Sequence, residues 1–326
     1  MTEALNPELV MELRVNEARM VASDIREFEF VDPVDPSGAL LPEFTPGSHL
    51  LIQTPAGMTR RYSLSNAPSE RNHYVIAIKR DSKGRGGSIS AVDDIEVGSL
   101  IHVSMPRNEF ELSESAPSYL FIAGGIGITP IRSMIKHVQE TSGKPFKLIY
   151  LARQPDMTAY HDEFSAPEYR GKVVVHHDFG DPEKSLDLWP VLEKPKGMHI
   201  YCCGPKPLMD AVRDMTGHWS TAAVHFEDFG AGKVTRAATD KPFVVRYGIE
   251  GVAFDVAADQ SILEVLRSGG HRIPSSCESG TCGSCRMKLL AGDADHRDLV
   301  LSDSERLREI IVCVSRAHST ELTVSL

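Results

Sequence analysis

The sequence contains no long apolar run and no excess of positive charge. None of its apolar stretches approaches the ~20 residues that a membrane-spanning helix needs, so we expect no membrane segment. The chain carries 35 Lys and Arg against 45 Asp and Glu, which gives a formal net charge of −10. Because no basic stripe is available to neutralise phosphates, a nucleic-acid partner is disfavoured. The opening stretch, MTEALNPELVMELRV, lacks the basic and apolar regions of a secretion signal, and this predicts a cytoplasmic location.

Cysteine is rare over most of the chain, yet four of the six cysteines lie in the last 50 residues. Cys277, Cys282 and Cys285 have the spacing C-x4-C-x2-C, and Cys313 follows in IIVCVSRA. A disulfide framework is disfavoured in a reducing compartment. A zinc ribbon would usually pair two C-x2-C knuckles, and a thioredoxin-type pair needs no third or fourth cysteine. The spacing is that of plant-type [2Fe–2S] ligands, which we predict, with a zinc site or structural thiols as the alternatives.

Changes of pattern divide the chain into parts. Residues 1–112 alternate apolar and polar residues in short runs such as LLIQTP and YVIAIKR, which predicts a small antiparallel barrel or sandwich. Residues 113–228 carry the apolar runs YLFIAGG, KLIYLAR, KVVVHHD and MHIYCCGP with helical patterns between them. These runs predict a parallel α/β sheet with covered faces. Residues 229–240 lack an apolar pattern and indicate a linker. Residues 241–326 return to short strands, with one helix and the cysteine loop.

Glycine-rich turns occur at two places where a phosphate could bind. AGGIGITP, at 123–130, follows a buried strand, so its backbone could approach a pyrophosphate at a helix N-terminus. It is not the G-x-G-x-x-G fingerprint, and a purely structural turn stays open. KGRGGSIS, at 83–90, could form a second phosphate cradle or a surface turn. YCCGP, at 201–205, ends a strand and would open a crevice at the carboxyl edge of the sheet; its cysteines could equally be small buried apolar residues.

A third candidate element is RRYSLSNAP, at 60–68. Strand alternation puts Arg60 and Tyr62 on one face and Arg61 and Ser63 on the other. A guanidinium, an aromatic ring and a hydroxyl could line a flavin and its phosphate. An exposed strand with solvated arginines is the alternative.

Three motifs occur in the order R-x-Y-S, GGxGxTP and CGP. Together they resemble the ferredoxin–NADP reductase superfamily. With the plant-type cysteine motif at the C-terminal end, the chain resembles the phthalate dioxygenase reductase family and its relatives, the vanillate demethylase reductases. MPRNEF, MTGHWS and HFEDFG match as well, so the resemblance covers essentially the whole chain. It implies a multidomain protein. The expected domains are an antiparallel β-barrel FMN domain at 1–112, an α/β NADH domain at 113–228, a linker at 229–240 and an α+β β-grasp ferredoxin domain at 241–326.

The resemblance also implies roles for individual residues. The implied flavin contacts are Arg60, Tyr62, Ser63, Ala77, Ile78, Lys79, Gly87 and Ser88, with FMN rather than FAD as the cofactor. The implied nicotinamide-nucleotide contacts are Gly124, Gly125, Gly127, Thr129, Cys203, Gly204 and Pro205, and Phe229 would stack near the flavin ring. The implied cluster ligands are Cys277, Cys282, Cys285 and Cys313. Arg153 and Asp178 would lie near the adenosine, where the acidic group favours NADH and the arginine favours NADPH; NADH is expected.

The implied activity follows from electron counting. NADH gives up two electrons together as hydride, a [2Fe–2S] cluster accepts one at a time, and a flavin converts between them. No side chain is then needed as a catalytic acid or base. The resemblance implies that the electrons leave to the Rieske centre of a separate aromatic-ring oxygenase, and we expect a monomeric reductase. Acidic residues near the cluster, Glu278 and Asp293, would influence docking. His296 and Asp298 are expected in a solvated loop, with a docking surface as the alternative.

Other functions remain open from the sequence. The chain could serve a different Rieske oxygenase or a vanillate-type demethylase. It could be a non-enzymatic iron–sulfur redox sensor, or an FAD-dependent, NADPH-using member of the same superfamily. The aromatic substrate is not encoded in this chain, because that substrate would bind to the oxygenase.

Overall fold

The computed structural model describes residues 8–36, 38–82, 86–229, 240–248, 250–271, 273–274, 280, 283, 285–298 and 300–326. The chain divides into two compact units, Met1–Glu227 and Asp228–Leu326. We call them the first and the second unit and describe each by itself. Among the described helices, none combines the length and apolar character needed to cross a bilayer.

The first unit begins with an antiparallel sheet, the first sheet. Its strands are β1 (Leu9–Ala22), β2 (Ile25–Val31), β3 (Ser48–Gln53), β4 (Thr59–Ser63), β5 (Tyr74–Lys79), β6 (Leu100–Ser104) and β7 (Arg107–Asn108), with helix α1 (Gly87–Asp94) between β5 and β6. The strand order is β4-β3-β6-β1-β2-β5, and β7 pairs with β3. Alternating apolar side chains, such as Phe28 and Phe30 on β2, fill a shared core.

The edge strands of this sheet, β4 and β5, approach each other. Leu64, directly after β4, forms a single antiparallel bridge with Ile76 on β5, and Ser65 N donates to Val75 O at 2.8 Å. The predicted antiparallel architecture is confirmed. Its closure into a complete barrel stays a prediction, because one bridge does not make a continuous ladder.

The second sheet of the first unit is parallel. Its elements are β8 (Tyr119–Gly124), α2 (Ile128–Thr141), β9 (Phe146–Ala152), α3 (His161–Phe164), β10 (Val173–His177), α4 (Trp189–Leu192), β11 (His199–Cys203), α5 (Lys206–Met215) and β12 (Val224–Glu227). The strand order is β10-β9-β8-β11-β12. All six residues of β8 are buried, as expected for a strand covered on both faces. The predicted α/β sheet is confirmed, and its order reverses between β8 and β11.

The second unit is a mixed sheet with a helix. Its elements are β13 (Phe243–Tyr247), β14 (Ala253–Val256), α6 (Ile262–Ser268), β15 (Arg286–Ala291), β16 (Ala294–Asp295), α7 (Asp303–Arg306), β17 (Glu309–Ile311), β18 (Arg316–Ala317) and β19 (Glu321–Ser325). The main sheet has the order β14-β13-β19-β15-β17, with β13 and β19 parallel. Apolar residues of α6 join the core of this sheet. The predicted α+β ferredoxin-like domain is confirmed.

Candidate functional site

The glycine-rich turn after β8 lies at the point where the order of the second sheet reverses. We call Gly124–Thr129 the nucleotide turn. A Cβ atom on Gly127 would lie 2.2 Å from the carbonyl oxygen of Cys203, and one on Gly124 would lie 2.6 Å from Pro205 Cδ. Gly204 also has little room, since its Cβ would meet Gly124 Cα at 2.9 Å. The two strand ends therefore touch backbone to backbone, and only glycine permits this approach.

This arrangement suits a dinucleotide. In an open α/β sheet, ligands bind outside the carboxyl ends of the strands where the order reverses, and α2 begins at this point. The nucleotide turn and the Cys203–Pro205 segment are thus brought together, as their predicted roles require. Thr129 is buried and donates its hydroxyl to Ile126 O at 3.1 Å, so it fixes the turn. Cys203 is also buried.

The neighbouring strand ends carry the residues expected near an adenosine. Arg153 follows β9 and Asp178 follows β10; Phe179 N donates to Arg153 O at 2.9 Å, and Asp178 Oδ1 accepts from Gly180 N at 2.8 Å. Phe179 is 59% exposed and has a φ of 54°, a left-handed conformation that is uncommon for a non-glycine residue. This aromatic ring was not among the predicted site residues. A Phe two residues after the apolar run KVVVHH, next to Gly180, was the signal that could have identified it.

A second site lies in the first sheet, at the N-terminus of α1. Gly86 is the N-cap residue in a left-handed conformation, and no side chain of the described residues caps the helix. A Cβ atom on Gly87 would lie 2.9 Å from Arg60 Nε. We call Arg60 and Gly86–Ser88 the phosphate cradle. Uncapped helical N–H groups beside a guanidinium form a site that fits a phosphate group.

The other predicted flavin contacts lie on the two edge strands that meet at the Leu64–Ile76 bridge. On β4, Tyr62 packs against the core, and burial raises the pKa of its hydroxyl to about 12. Ser63 is buried, and its hydroxyl has no hydrogen-bond partner among the described residues. A buried, unpaired hydroxyl is costly unless a ligand group satisfies it, which fits a polar flavin edge.

On β5, Ala77 and Ile78 are buried and pair with β2. Lys79 is half-buried, and its Nζ lies 3.3 Å from a carboxylate oxygen of Asp24. Ser88 accepts a hydrogen bond from Asp81 N at 3.1 Å, so it ties the cradle to the end of β5. The structure therefore brings β4, β5 and the cradle together within one sheet.

The cysteine motif is partly described. Cys277 and Cys282 lie outside the described residues, whereas Cys285 precedes β15 and Cys313 follows β17; both are 2% exposed. Arg286 pairs with Ile311, and Val312 N donates to Cys285 O at 3.4 Å. The two cysteines thus lie at the same end of a strand pair, which fits a loop ligand and a strand ligand of one cluster.

The glycines of the cysteine loop support the same assignment. Gly280 and Gly283 have φ values of 77° and 76°, so the loop turns where side chains are disfavoured. A Cβ on Gly280 would meet Val314 Cγ2 at 2.7 Å. The structure corrects the expectation of a solvated loop at Asp298. That side chain is buried and accepts hydrogen bonds from Val300 N at 3.1 Å and Leu301 N at 2.8 Å.

Phe229 was predicted to line a site, whereas Arg132 was not. Phe229 is half-buried at the start of the second unit, and its stacking role stays a prediction. Arg132 on α2 was not predicted as important, although it is only 8% exposed and ion-paired with Glu163 at 2.8 Å. Its position among apolar neighbours in ITPIRSMI was the signal that could have identified it.

Comparison with known proteins identifies related domains and relatives. Residues 121–214 match the oxidoreductase NAD-binding domain family, and residues 247–318 match the 2Fe-2S iron-sulfur cluster binding domain family. The phthalate 4,5-dioxygenase oxygenase reductase subunit of Pseudomonas putida is 52% identical over 315 residues, 96% of each chain. The phthalate dioxygenase reductase of Burkholderia cepacia is 52% identical over 317 residues, 97% of each chain.

A solved structure is similar to this chain in both sequence and fold. It is described as phthalate dioxygenase reductase, a modular structure for electron transfer from pyridine nucleotides to [2Fe-2S]. It superposes with a TM-score of 0.74 at 52% identity, over 97% of this chain and 98% of that one. With such similarity over nearly its whole length, the chain belongs to the phthalate dioxygenase reductase family.

Proposed function

We propose that this protein is the NADH-dependent reductase component of a phthalate-type Rieske oxygenase system. In this proposal, residues 1–112 bind FMN, residues 113–228 bind NADH, residues 229–240 link the domains and residues 241–326 hold the [2Fe–2S] cluster. The bound flavin would supply the conversion of a two-electron hydride into single-electron transfers. The cytoplasmic location and the monomeric state stay predictions.

The residues of this chain would bind and orient the flavin, the dinucleotide and the cluster. The phosphate cradle would hold the flavin phosphate, and Ser63 would satisfy a polar edge of the ring. The nucleotide turn and Cys203–Pro205 would hold the dinucleotide, with Phe179 offering a stacking face to its adenine. Cys277, Cys282, Cys285 and Cys313 would supply the four thiolates of the cluster.

One observation carries this proposal. The glycine crevice between β8 and β11 and the uncapped cradle beside Arg60 occur in the same compact unit. A nucleotide site and a flavin site in one unit are what hydride transfer between two cofactors requires. A simple iron–sulfur sensor would need neither.

The experiment that tests the proposal is an anaerobic NADH titration of the purified protein, followed by visible absorption and low-temperature EPR. We expect bleaching of the flavin band together with a rhombic [2Fe–2S] signal. A cluster signal that appears with dithionite and not with NADH would contradict the nucleotide or flavin assignment. Protein without flavin would point to an iron–sulfur sensor, and chromatography of the heat-released flavin would separate FMN from FAD.

The choice of oxygenase needs a separate assay. A vanillate-type demethylase reductase would give the same flavin and cluster signals with NADH, so turnover should be compared with a phthalate and a vanillate oxygenase. We expect faster turnover with the phthalate enzyme. Charge reversal at Asp293, an exposed residue that accepts from His318 N at 2.9 Å, should slow oxygenase reduction and leave NADH–ferricyanide activity unchanged. An unchanged oxygenase rate would exclude Asp293 from docking; Glu278 lies outside the described residues.

A further inference from the structure

One face of α2 follows the chain segment that leaves β4. Arg132, Lys136 and Glu140 are spaced by four residues, so they share that face. Each of them contacts the segment 65–70. The contacts are Arg132 Nη1 to Ser65 O at 3.2 Å, Lys136 Nζ to Glu70 Oε1 at 3.5 Å, and Ser69 Oγ to Glu140 Oε2 at 2.7 Å. Because α2 begins directly after Gly127, it connects the nucleotide turn with the chain beyond β4.

Arg132 is the buried member of this face. It is 8% exposed, and its Nε lies 3.1 and 2.8 Å from the two carboxylate oxygens of Glu163. Its guanidinium carbon lies 4.2 Å from the centroid of the Tyr160 ring. A planar guanidinium holds several acceptors in one fixed geometry. One side chain therefore holds the Ser65 carbonyl, in the segment after β4, against a carboxylate on α3 and the ring that precedes α3.

Tyr160 reaches the same serine from the second sheet. Its hydroxyl lies 3.4 Å from Ser65 Oγ. Its φ is 58°, and such a conformation persists in a non-glycine residue only where the surroundings impose it. Burial raises the pKa of the Tyr160 hydroxyl, so it remains protonated. The side chains of Arg132, on α2, and Tyr160, at the N-cap of α3, thus converge on Ser65, two residues after Ser63.

From this convergence we infer that Arg132 and Tyr160 are positioning residues for hydride transfer. Their contacts with Ser65 set the distance between the nucleotide turn and β4, the strand that carries Tyr62 and Ser63. The inference rests on the proposed function. Hydride transfer needs reacting atoms about 3–3.5 Å apart, and a displacement of about 1 Å can lower the rate about 100-fold. Neither residue is assigned a contact with nucleotide or flavin, so loss of either should change spacing rather than affinity.

The test is the rate constant of flavin reduction by NADH in single-turnover stopped flow, with its dependence on NADH concentration. Arg132→Gln and Arg132→Lys should each lower the limiting rate constant about 10- to 100-fold and leave the NADH dissociation constant within about twofold. Lys keeps the charge but cannot reproduce the forked contacts. Tyr160→Phe keeps the ring and removes the hydroxyl, so a smaller decrease in the same rate constant is expected.

Arg71→Gln is the matched control. Its guanidinium also contacts a carboxylate oxygen, that of Glu43 at 2.6 Å, and a carbonyl oxygen, that of Leu41 at 3.0 Å. Both partners lie between β2 and β3, so these contacts do not reach the second sheet. Hydrogen exchange of the intact protein gives a readout that does not need turnover. Arg132→Gln should raise amide exchange at 62–67 and at 124–131 together, and Arg71→Gln should not.

The outcomes separate this inference from the proposed function. If wild-type protein is not reduced by NADH, the proposed function fails, and exchange still reports whether Arg132 joins the two segments. If wild type is reduced and the Arg132 variants keep its rate, the inference is overturned. Equal losses in Arg132→Gln and Arg71→Gln would also overturn it, because they would indicate general destabilisation. If Arg132→Gln does not fold, wild-type rates in both Arg132→Lys and Tyr160→Phe would overturn it.

Discussion

Gly127 has the least room of the glycines in the nucleotide turn. Its φ of −61° is ordinary, so the need for glycine comes from packing against Cys203 and not from backbone strain. We expect Gly127→Ala to separate the ends of β8 and β11, weaken NADH binding at least tenfold and cost about 1–3 kcal/mol of unfolding free energy. NADH titration and urea unfolding would measure both effects.

Gly217→Ala is the control for this substitution. A Cβ there would have its nearest neighbour at 3.8 Å, an ordinary van der Waals contact. The control should change neither NADH affinity nor stability by more than about 0.5 kcal/mol. If Gly127→Ala binds NADH as tightly as the control does, the crevice between the strand ends is not the nucleotide site.

His49 should make the first unit sensitive to acid. It is 1% exposed, and burial, with the nearby cations Arg61 and Arg107, lowers its pKa to about 3. The unfolded residue takes up a proton below about pH 6.5, whereas the folded one does so only near pH 3. The stability that the neutral His49 contributes to the first unit is therefore fully present above about pH 6.5 and is lost as the pH falls towards 3. Between pH 7 and 5 the loss from this residue is about 2 kcal/mol.

The measurement for His49 is urea unfolding at pH 7 and pH 5, followed by tryptophan fluorescence. Both tryptophans, Trp189 and Trp219, lie in the first unit. His49→Asn should reduce the difference between the two pH values by about 2 kcal/mol. Burial also lowers the pKa of His225 to about 4, so a residual acid dependence is expected. His102→Asn, at a half-buried position, is the control, and an equal reduction there would contradict the assignment.

Residues in short motifs were predictable because their geometry is local. The positions of the glycines in the nucleotide turn and the cradle depend only on a strand, a turn and the start of a helix. The sequence shows all three within about ten residues. Arg132 and Asp298 were missed or misjudged for a physical reason. Arg132 binds Ser65 and Glu163, which are distant in sequence, and Asp298 is buried by a fold that no local pattern reports.

Among the elements, α6 offers a clean test of local stabilisation in the second unit. Its N-cap Ser261 accepts from Glu264 N at 3.1 Å, and Glu264 accepts from Ser261 N at 2.8 Å, which forms a capping box. Since Ser261 is buried, water cannot replace these contacts fully. Ser261→Ala should lower the unfolding free energy of the second unit by about 1 kcal/mol. The midpoint of cluster bleaching in urea would measure this.

The comparison for α6 is Ser268→Ala. Ser268 is exposed at the other end of the helix, where its hydroxyl donates to Glu264 O at 2.9 Å. That bond satisfies an acceptor that solvent can also reach, so the expected change is below about 0.5 kcal/mol. Equal effects of the two substitutions would mean that the cap contributes nothing specific.

Long elements were easier to predict than short ones. The runs of β8, β9 and β11 are mostly buried and therefore stand out as apolar stretches. The two-residue strands β7, β16 and β18 carry no period at all and exist only because a partner strand is nearby. The meeting of β4 and β5 likewise depends on the curvature of the whole sheet, so the sequence could suggest a barrel without establishing its closure.

At the scale of the whole molecule, the two compact units have separate cores. The first and second sheets have their own apolar clusters in the first unit, and the second unit has another that includes Ile310. A cooperative transition requires shared packing. We therefore expect thermal unfolding to give two transitions, one seen by tryptophan fluorescence and one by bleaching of the cluster absorption.

Substitutions in each core would assign the transitions. Ile310→Val removes one buried methylene from the second unit and should cost about 1 kcal/mol, which lowers the bleaching midpoint by about 4–8 °C for a domain of that size. The fluorescence midpoint should stay fixed. Ile122→Val, on β8 in the first unit, should do the reverse, with a smaller shift of about 2–4 °C because that unit is larger. If either substitution moves both midpoints together, the units unfold as one cooperative body and the separate cores do not define separate domains.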